Sequence, residues 1–251
     1  MINRRTSKEL ELMRTAARIL VDTFHMVEEE LKPGLTTKEI DDKIEKFIVD
    51  SDARPAFKGY KGFPGSSCIS IDEVVVHGIP DQRIIAEGQL VSIDIGVEYK
   101  NYYSDSARTF AICSVTEEKQ NLVKVTEDSL AKGIEQVIEG NRISDISHAI
   151  QSYIEPEGFS IVRDLVGHGI GTSLWEEPEI PNYVDERKGT QPKILSGMIF
   201  AIEPMVNIGD HQINFLSDGW TVVTSDNKPS AHFEHTVAVT DNGPEILTLG
   251  R

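Results

Sequence analysis

The chain has 251 residues, 39% of them hydrophobic, and a formal net charge of −16. Such a length allows a large core in one or two domains, and the acidity excludes a duplex nucleic-acid surface, which needs clustered Lys and Arg. No stretch approaches the ~18 apolar residues of a membrane span, the amino terminus lacks a signal-peptide core, and Cys68 and Cys113 make neither a CxxC pair nor a disulfide framework, so the composition points to a soluble cytoplasmic protein.

Thr6-Ser7-Lys8-Glu9 is a capping-box pattern. Leu10, Met13, Ala17, Leu20, Phe24, Val27 and Leu31 follow at spacings of three and four, which predicts a long amphipathic helix stopped at Lys32-Pro33-Gly34. A second capping box, Thr36-Thr37-Lys38-Glu39, opens another helix with Ile40, Ile44, Phe47 and Ile48 inward. From Ser51 the run ARPAFKGYKGFPGSSC reads as a loop, with Phe57, Tyr60 and Phe63 available to line a site or to plug the loop onto the core. Cys68–Ile71 and Val74–His77 read as strands before the turn Gly78-Ile79-Pro80-Asp81. Read alone, His77 suits a structural role better than a chemical one.

Leu90 to Ile112 reads as two strands joined by a short polar turn. Asp94 interrupts the first and Asp105 the second, and a buried carboxylate needs a cation or strong donors beside it. An antiparallel register centred on Tyr99-Lys100 sets the two opposite each other on one face, roughly 4.5–5.5 Å apart at Cβ. Like charges so placed need a proton or a metal ion between them. The alternative is that one Asp binds Arg108 or caps a turn.

Residues 116–139 read as a helix ended by Gly140, and Ser144 to Ile154 as another, followed by a short strand at Phe159–Val162. Gly167-His168-Gly169-Ile170-Gly171 resembles a phosphate loop only weakly, because no Lys-Ser/Thr follows; a His between glycines suits an imidazole that must approach something closely. Gly197–Met205 is an apolar strand interrupted by Glu203. A hairpin around Asp218-Gly219-Trp220 leads to Ala231–Thr240, with Glu234 inside the strand. Helices then strands, twice over, predict two similarly built halves of one domain spanning 1–251.

Four carboxylates in apolar strands, Asp94, Asp105, Glu203 and Glu234, with His168 in a glycine-rich loop, ask for a common cause. An oxygen-rich set with one imidazole suits Mn, Fe, Co or Zn, and two such ions about 3.5–4 Å apart are the usual hydrolytic arrangement.

Val76-His77-Gly78-Ile79-Pro80, Ser92-Ile93-Asp94-Ile95-Gly96, Ser104-Asp105, Gly167 to Gly171, Ala201-Ile202-Glu203-Pro204 and Phe233-Glu234-His235-Thr236, in that order, resemble the motifs of type I methionine aminopeptidases in their short bacterial form. The resemblance covers essentially the whole chain. It implies an α+β pita-bread fold, two pseudo-symmetric halves with a curved antiparallel sheet and flanking helices, forming a single catalytic metallopeptidase domain. It also implies two divalent metal ions (Co, Mn, Fe or Zn), held by Asp94, Asp105, His168, Glu203 and Glu234, and removal of an amino-terminal methionine that precedes a small residue. Glu203 would also move the proton, His77 would bind substrate near the scissile amide, and Phe57, Tyr60, Phe63, Cys68 and Trp220 would shape the methionine pocket. The implied partner is a peptide or nascent-chain amino terminus, met by a monomer at or near the ribosome, with neither nucleic acid nor membrane bound directly. One position departs: seven residues after His168, where the family has a second substrate-contacting histidine, this chain has Trp175.

Two other readings use the same residues. Prolidases and aminopeptidase P share the five ligands but normally carry a large preceding domain, for which there is no room ahead of His77. A non-catalytic module that binds peptides or nascent chains would explain the lost histidine, although such proteins usually lose metal ligands too.

Overall fold

The computed structural model describes residues 2–185, 187 and 189–250. Its first half opens with helices α1 (Ser7–Glu30) and α2 (Thr37–Asp50), each started by a capping box. Thr6 accepts the Glu9 N–H while the Glu9 carboxylate takes the Thr6 N–H, and Thr36 and Glu39 repeat the exchange. Such caps stabilise by about 0.5–2 kcal/mol each. Strands β1 (Arg54–Pro55), β2 (Cys68–Ile71), β3 (Val74–Val76), β4 (Leu90–Tyr99) and β5 (Tyr102–Ala111) follow. In this half's sheet β4 pairs antiparallel with β1, β2 and β5. Ile40, Ile44 and Ile48 of α2, with Leu20 and Phe24 of α1, pack on Val91, Ile93 and Ile95 of β4; Phe47 is only half-buried. Full burial of such side chains is worth about 1.5–3 kcal/mol each.

The second half repeats the plan. Helices α3 (Glu117–Ile134) and α4 (Ile143–Ile154) precede β6 (Ser160–Ile161), β7 (Gly167–Gly169), β8 (Glu176–Ile180), β9 (Ile199–Ile202), β10 (Met205–Asn207), β11 (Ile213–Phe215), β12 (Val222–Thr224), β13 (Ser230–His232), β14 (His235–Thr240) and β15 (Gly243–Ile246). Their principal sheet runs β15-β14-β9-β7-β8, with smaller sheets β13-β10-β6 and β11-β12-β3. The second core gathers Leu122, Ile134, Ile146 and Ile150 with Phe200, Ile202 and Val237. Among the described residues no helix is long and apolar enough to cross a membrane.

Four sequence expectations are corrected. Helix α3 stops at Ile134 because its chain tightens into three-residue bonds, Gln136 N–H to Gly133 O and Val137 N–H to Ile134 O. The central hairpin turns at Lys100-Asn101, with φ of 51° and 64°, the two-residue turn with both central residues left-handed that suits the strand twist. Asp94 therefore faces Ala107, and Asp105 faces Gly96. The register moves by two residues, an even number, so both carboxylates stay on one face but lie diagonally. Neither takes Arg108, which binds Glu28 and stacks on Phe24. Lastly, Glu203 and Glu234 sit in the breaks between β9 and β10 and between β13 and β14. Pro204 has no N–H to continue the first ladder. At the second break the Glu234 backbone leaves β13 to exchange two hydrogen bonds with Ala107 of β5.

Candidate active site

That exchange at Glu234 joins the halves and sets the site's geometry. Across the sheets, Cys68 pairs with Asp94, Asp94 with Ala107, and Ala107 with Glu234. A parallel row runs from Asp105, whose backbone N–H and C=O both bond the Thr236 hydroxyl, through Thr236 and Ala201 to His168. Strand register alone thus carries four acidic or imidazole side chains from both halves to one place. Asp105, His168 and Glu234 offer ligand atoms that all lie within 4.8 Å of one another. Glu203 Oε1 is 3.6 Å from His168 Nε2, and the Asp94 and Asp105 carboxyls are near enough to shift each other's ionisation.

His168 is aimed by its neighbours. Its Nδ1 lies 2.9 Å from the Gly169 carbonyl; the Nδ1–H donates there, leaving the Nε2 lone pair facing the acids. The flanking glycines are needed for close strand packing: a Cβ on Gly167 would come within 2.4 Å of the Ala201 carbonyl, and one on Gly169 within 2.3 Å of the Glu177 carbonyl.

The electrostatics are those of charges crowded out of water. Burial first, and then the neighbouring carboxylates, hold Asp94, Glu203 and Glu234 well above the usual carboxylate range. Burial lifts Asp105 to about 7 and lowers His168 to about 4. Asp94 Oδ1, Asp105 Oδ1 and Glu234 Oε1 are buried without a hydrogen-bond partner, an arrangement costly on its own. Three orphaned acidic oxygens beside an imidazole lone pair make a donor set that fits a divalent cation.

The acids line a cavity of about 450 Å³. Its lining includes all twelve residues singled out in the sequence: the four acids and His168, His77, Phe57, Tyr60, Phe63, Cys68, Trp175 and Trp220. The loop with Phe57, Tyr60 and Phe63 is tied to α2 by Asp41, which accepts the N–H groups of Ser66 and Ser67 and the Ser67 hydroxyl. Trp220 meets Phe63 edge to face at 5.1 Å and His77 at 6.4 Å. His77 leaves β3 in a left-handed conformation, φ 57°, and burial lowers its basicity. The Trp175 ring lies 6.4 Å from that of His168, tilted by 37°, and is 42% exposed.

A sequence profile of metallopeptidase family M24 matches residues 11–241. A methionine aminopeptidase of Clostridium perfringens is 50% identical over 249 residues, 99% of each chain. The chain belongs to metallopeptidase family M24, among the methionine aminopeptidases. Methionine aminopeptidase 1 of Bacillus subtilis is 48% identical to this M24 chain over 248 residues, again 99% of both. A crystal structure of the Rickettsia prowazekii methionine aminopeptidase superposes with a TM-score of 0.96 at 41% identity, covering 99% of this chain and 100% of that one. The pita-bread architecture expected from the motifs is therefore the fold of this M24 chain, and membership carries the family's use of divalent metal.

Sequence reading missed several M24 residues at the site. Lys61, Val76, Asp164, Leu165, Val166, Leu174 and Met205 complete the cavity lining. His232, buried behind Glu203, has its Nε2 3.6 Å from Glu203 Oε2, and burial, then the nearby His77, holds it down at about 3. Its signal in the sequence was a position two residues before Glu234.

Proposed function

We propose that this protein removes the amino-terminal methionine from peptides and nascent proteins whose second residue is small, hydrolysing the first peptide bond. The observation that carries the reading is the junction of the acid–imidazole cluster with the aromatic and sulfur-bearing wall of Phe57, Tyr60, Phe63, Cys68 and Trp220 in one cavity. A flexible thioether suits such a wall, and the scissile bond of a methionine seated there lies over the acids. Relatives at 50% and 48% identity are named methionine aminopeptidases, which favours this reading over a proline-specific peptidase.

Asp94, Asp105, His168, Glu203 and Glu234 would hold two divalent ions. When bound, such ions lower the pKa of water and polarise a carbonyl. Glu203, which stands between His168 and His232, accepts the proton of the attacking water and returns it to the leaving amide nitrogen as the C–N bond breaks. His77, which lines the cavity beside Trp220, contacts the substrate amide. Phe57, Tyr60, Phe63 and Trp220 exclude water from the methionine side chain. Because residues of both halves of one chain form the site, a monomer suffices, and the chain acts as a single catalytic domain. The free cysteines suit the cytoplasm, where nascent chains leave the ribosome.

The test compares release of methionine from Met-Ala-Ser with cleavage of an X-Pro peptide, before and after chelation and metal add-back. Activity on Met-Ala-Ser that disappears with chelator, returns with metal and is absent in Glu203→Ala is expected. Undiminished turnover after thorough metal removal contradicts the reading.

A further inference from the structure

His232 ends β13, fully enclosed, with its backbone held from two sides. It pairs with Met205 of β10, and both its N–H and its carbonyl bond the Thr109 hydroxyl at 2.9 Å. Thr109 is in turn 2.8 Å from the Ser92 hydroxyl. The imidazole is therefore mounted on rigid strands, beside the Glu203-Pro204 break. Its Nε2 is buried and has no hydrogen-bond partner; Glu203 Oε2 faces it at 3.6 Å.

The other oxygen of Glu203 faces His168 Nε2, also at 3.6 Å. Glu203 thus stands between two imidazoles, one for each oxygen, and the two rings are not equivalent. His168 has committed its Nδ1–H to Gly169 and presents a lone pair. Nothing commits His232 Nε2 in that way; the group facing it is a carboxylate oxygen, which only accepts when ionised, so the neutral tautomer that fits carries its proton on Nε2, and the charged ring donates there too.

We infer that His232 is a positioning residue: its Nε2–H donates to Glu203 Oε2 and so holds Oε1 beside His168 Nε2, where both present lone pairs to one divalent cation. The inference rests on the proposed metal site and deepens it. Groups that orient a ligand from behind typically change metal affinity or activity by 10–100-fold when removed.

The experiment measures Mn²⁺ binding by calorimetry to metal-stripped protein. His232→Leu and His232→Met, which keep bulk and lose the donor, should weaken binding by about tenfold or more, whereas His232→Gln, which keeps an N–H donor, should stay within about threefold of the parent. In a Glu203→Ala background His232→Leu should change nothing further. Unaltered affinity in the Leu and Met variants, or the same loss whether Glu203 is present or not, overturns the inference; the second result assigns His232 to packing. Because the readout is binding, the two ideas fail separately: if Met-Ala-Ser is not cleaved while the coupling between His232 and Glu203 stands, the peptidase reading falls alone.

Discussion

Arg5 and Glu176, 171 residues apart in the chain, form a buried ion pair that ties the amino-terminal segment to the loop carrying Trp175. Both side chains are 8% exposed. Glu176 also accepts Asn3 Nδ2–H at 2.7 Å and the backbone N–H groups of Thr172 and Ser173 at 2.8 and 3.1 Å. The Arg5 guanidinium lies directly over Gly171, where a Cβ would fall 2.0 Å from Nη2. Removing one partner of such a pair strands a charge and typically costs about 3–5 kcal/mol. Glu176→Gln should therefore lower the urea midpoint strongly and, because the loop at 171–176 loosens beside the cavity, reduce kcat/KM as well. An unchanged midpoint would show that the pair contributes nothing to holding this loop.

The pH dependence of the metal-free protein follows from opposed shifts. A carboxyl whose folded pKa is raised stabilises the fold while protonated, and that stability is lost as pH climbs from the unfolded value through the folded one. Asp105, lifted to about 7, and Asp94, Glu203 and Glu234, held well above the usual carboxylate range by burial and mutual charge, behave so. Buried neutral histidines act in the other direction: His168 and His235, each at about 4, and His232, at about 3, gain stability as pH rises toward 6.5. Above 6.5 the histidines are neutral in both states and only the carboxyls titrate. Between about pH 4.5 and 6.5 the two sets oppose each other, so melting of chelator-treated protein should show no rise there and should fall between about pH 6.5 and 8, and Mn²⁺ should abolish the fall. A melting temperature that keeps rising through this range would contradict the assignment of these carboxyls as a repelling cluster.

The parts legible in the sequence were those set by local rules. Both capping boxes, the apolar stripes of α1 and α2, and the parity of Asp94 and Asp105 depend on spacings of three, four and two along one segment. The turn of the central hairpin was misplaced by one residue because its apolar alternation fits either centre. Only the tolerance of Asn101 for a left-handed backbone distinguishes them, and a short polar turn hides that preference. The positions of Glu203 and Glu234 at strand breaks follow from pairing between halves, above all Glu234 with Ala107, which no local pattern encodes. His232 escaped for the same reason: its meaning comes from Glu203, which reaches it only after β10 and β13 pair.

The aromatic wall yields a separable prediction. Trp220 packs edge to face on Phe63 and adjoins His77 without touching the acid cluster's hydrogen bonds. Aromatic pairs of this geometry contribute about 0.5–1.5 kcal/mol beyond their buried area. Trp220→Ala should raise KM for Met-Ala-Ser by tenfold or so and leave Mn²⁺ affinity as it was. Weakened metal binding with KM unchanged would move Trp220 from the substrate wall to the support of the metal site.

Trp175 tests the one place where the chain departs from the motif it resembles. Its indole faces His168 across 6.4 Å and lines the cavity, although 42% of the residue remains exposed. The ring has therefore not swung away from the cleft. An imidazole there could donate, accept or carry a proton, whereas indole has a single N–H and only donates. Loss of one donor aimed at charge developing in the transition state typically costs about 10²–10³ in turnover. The parent should be a working but slow aminopeptidase, and Trp175→His, assayed on Met-Ala-Ser at saturating metal, should raise kcat by at least tenfold with Mn²⁺ affinity unchanged. The loop that carries position 175 is pinned by Glu176 to Arg5 and Asn3, so the new imidazole enters a preset backbone. A kcat that stays level or falls would make Trp175 a fitted wall of this particular site, with His77 supplying the polar contact that the motif assigns elsewhere.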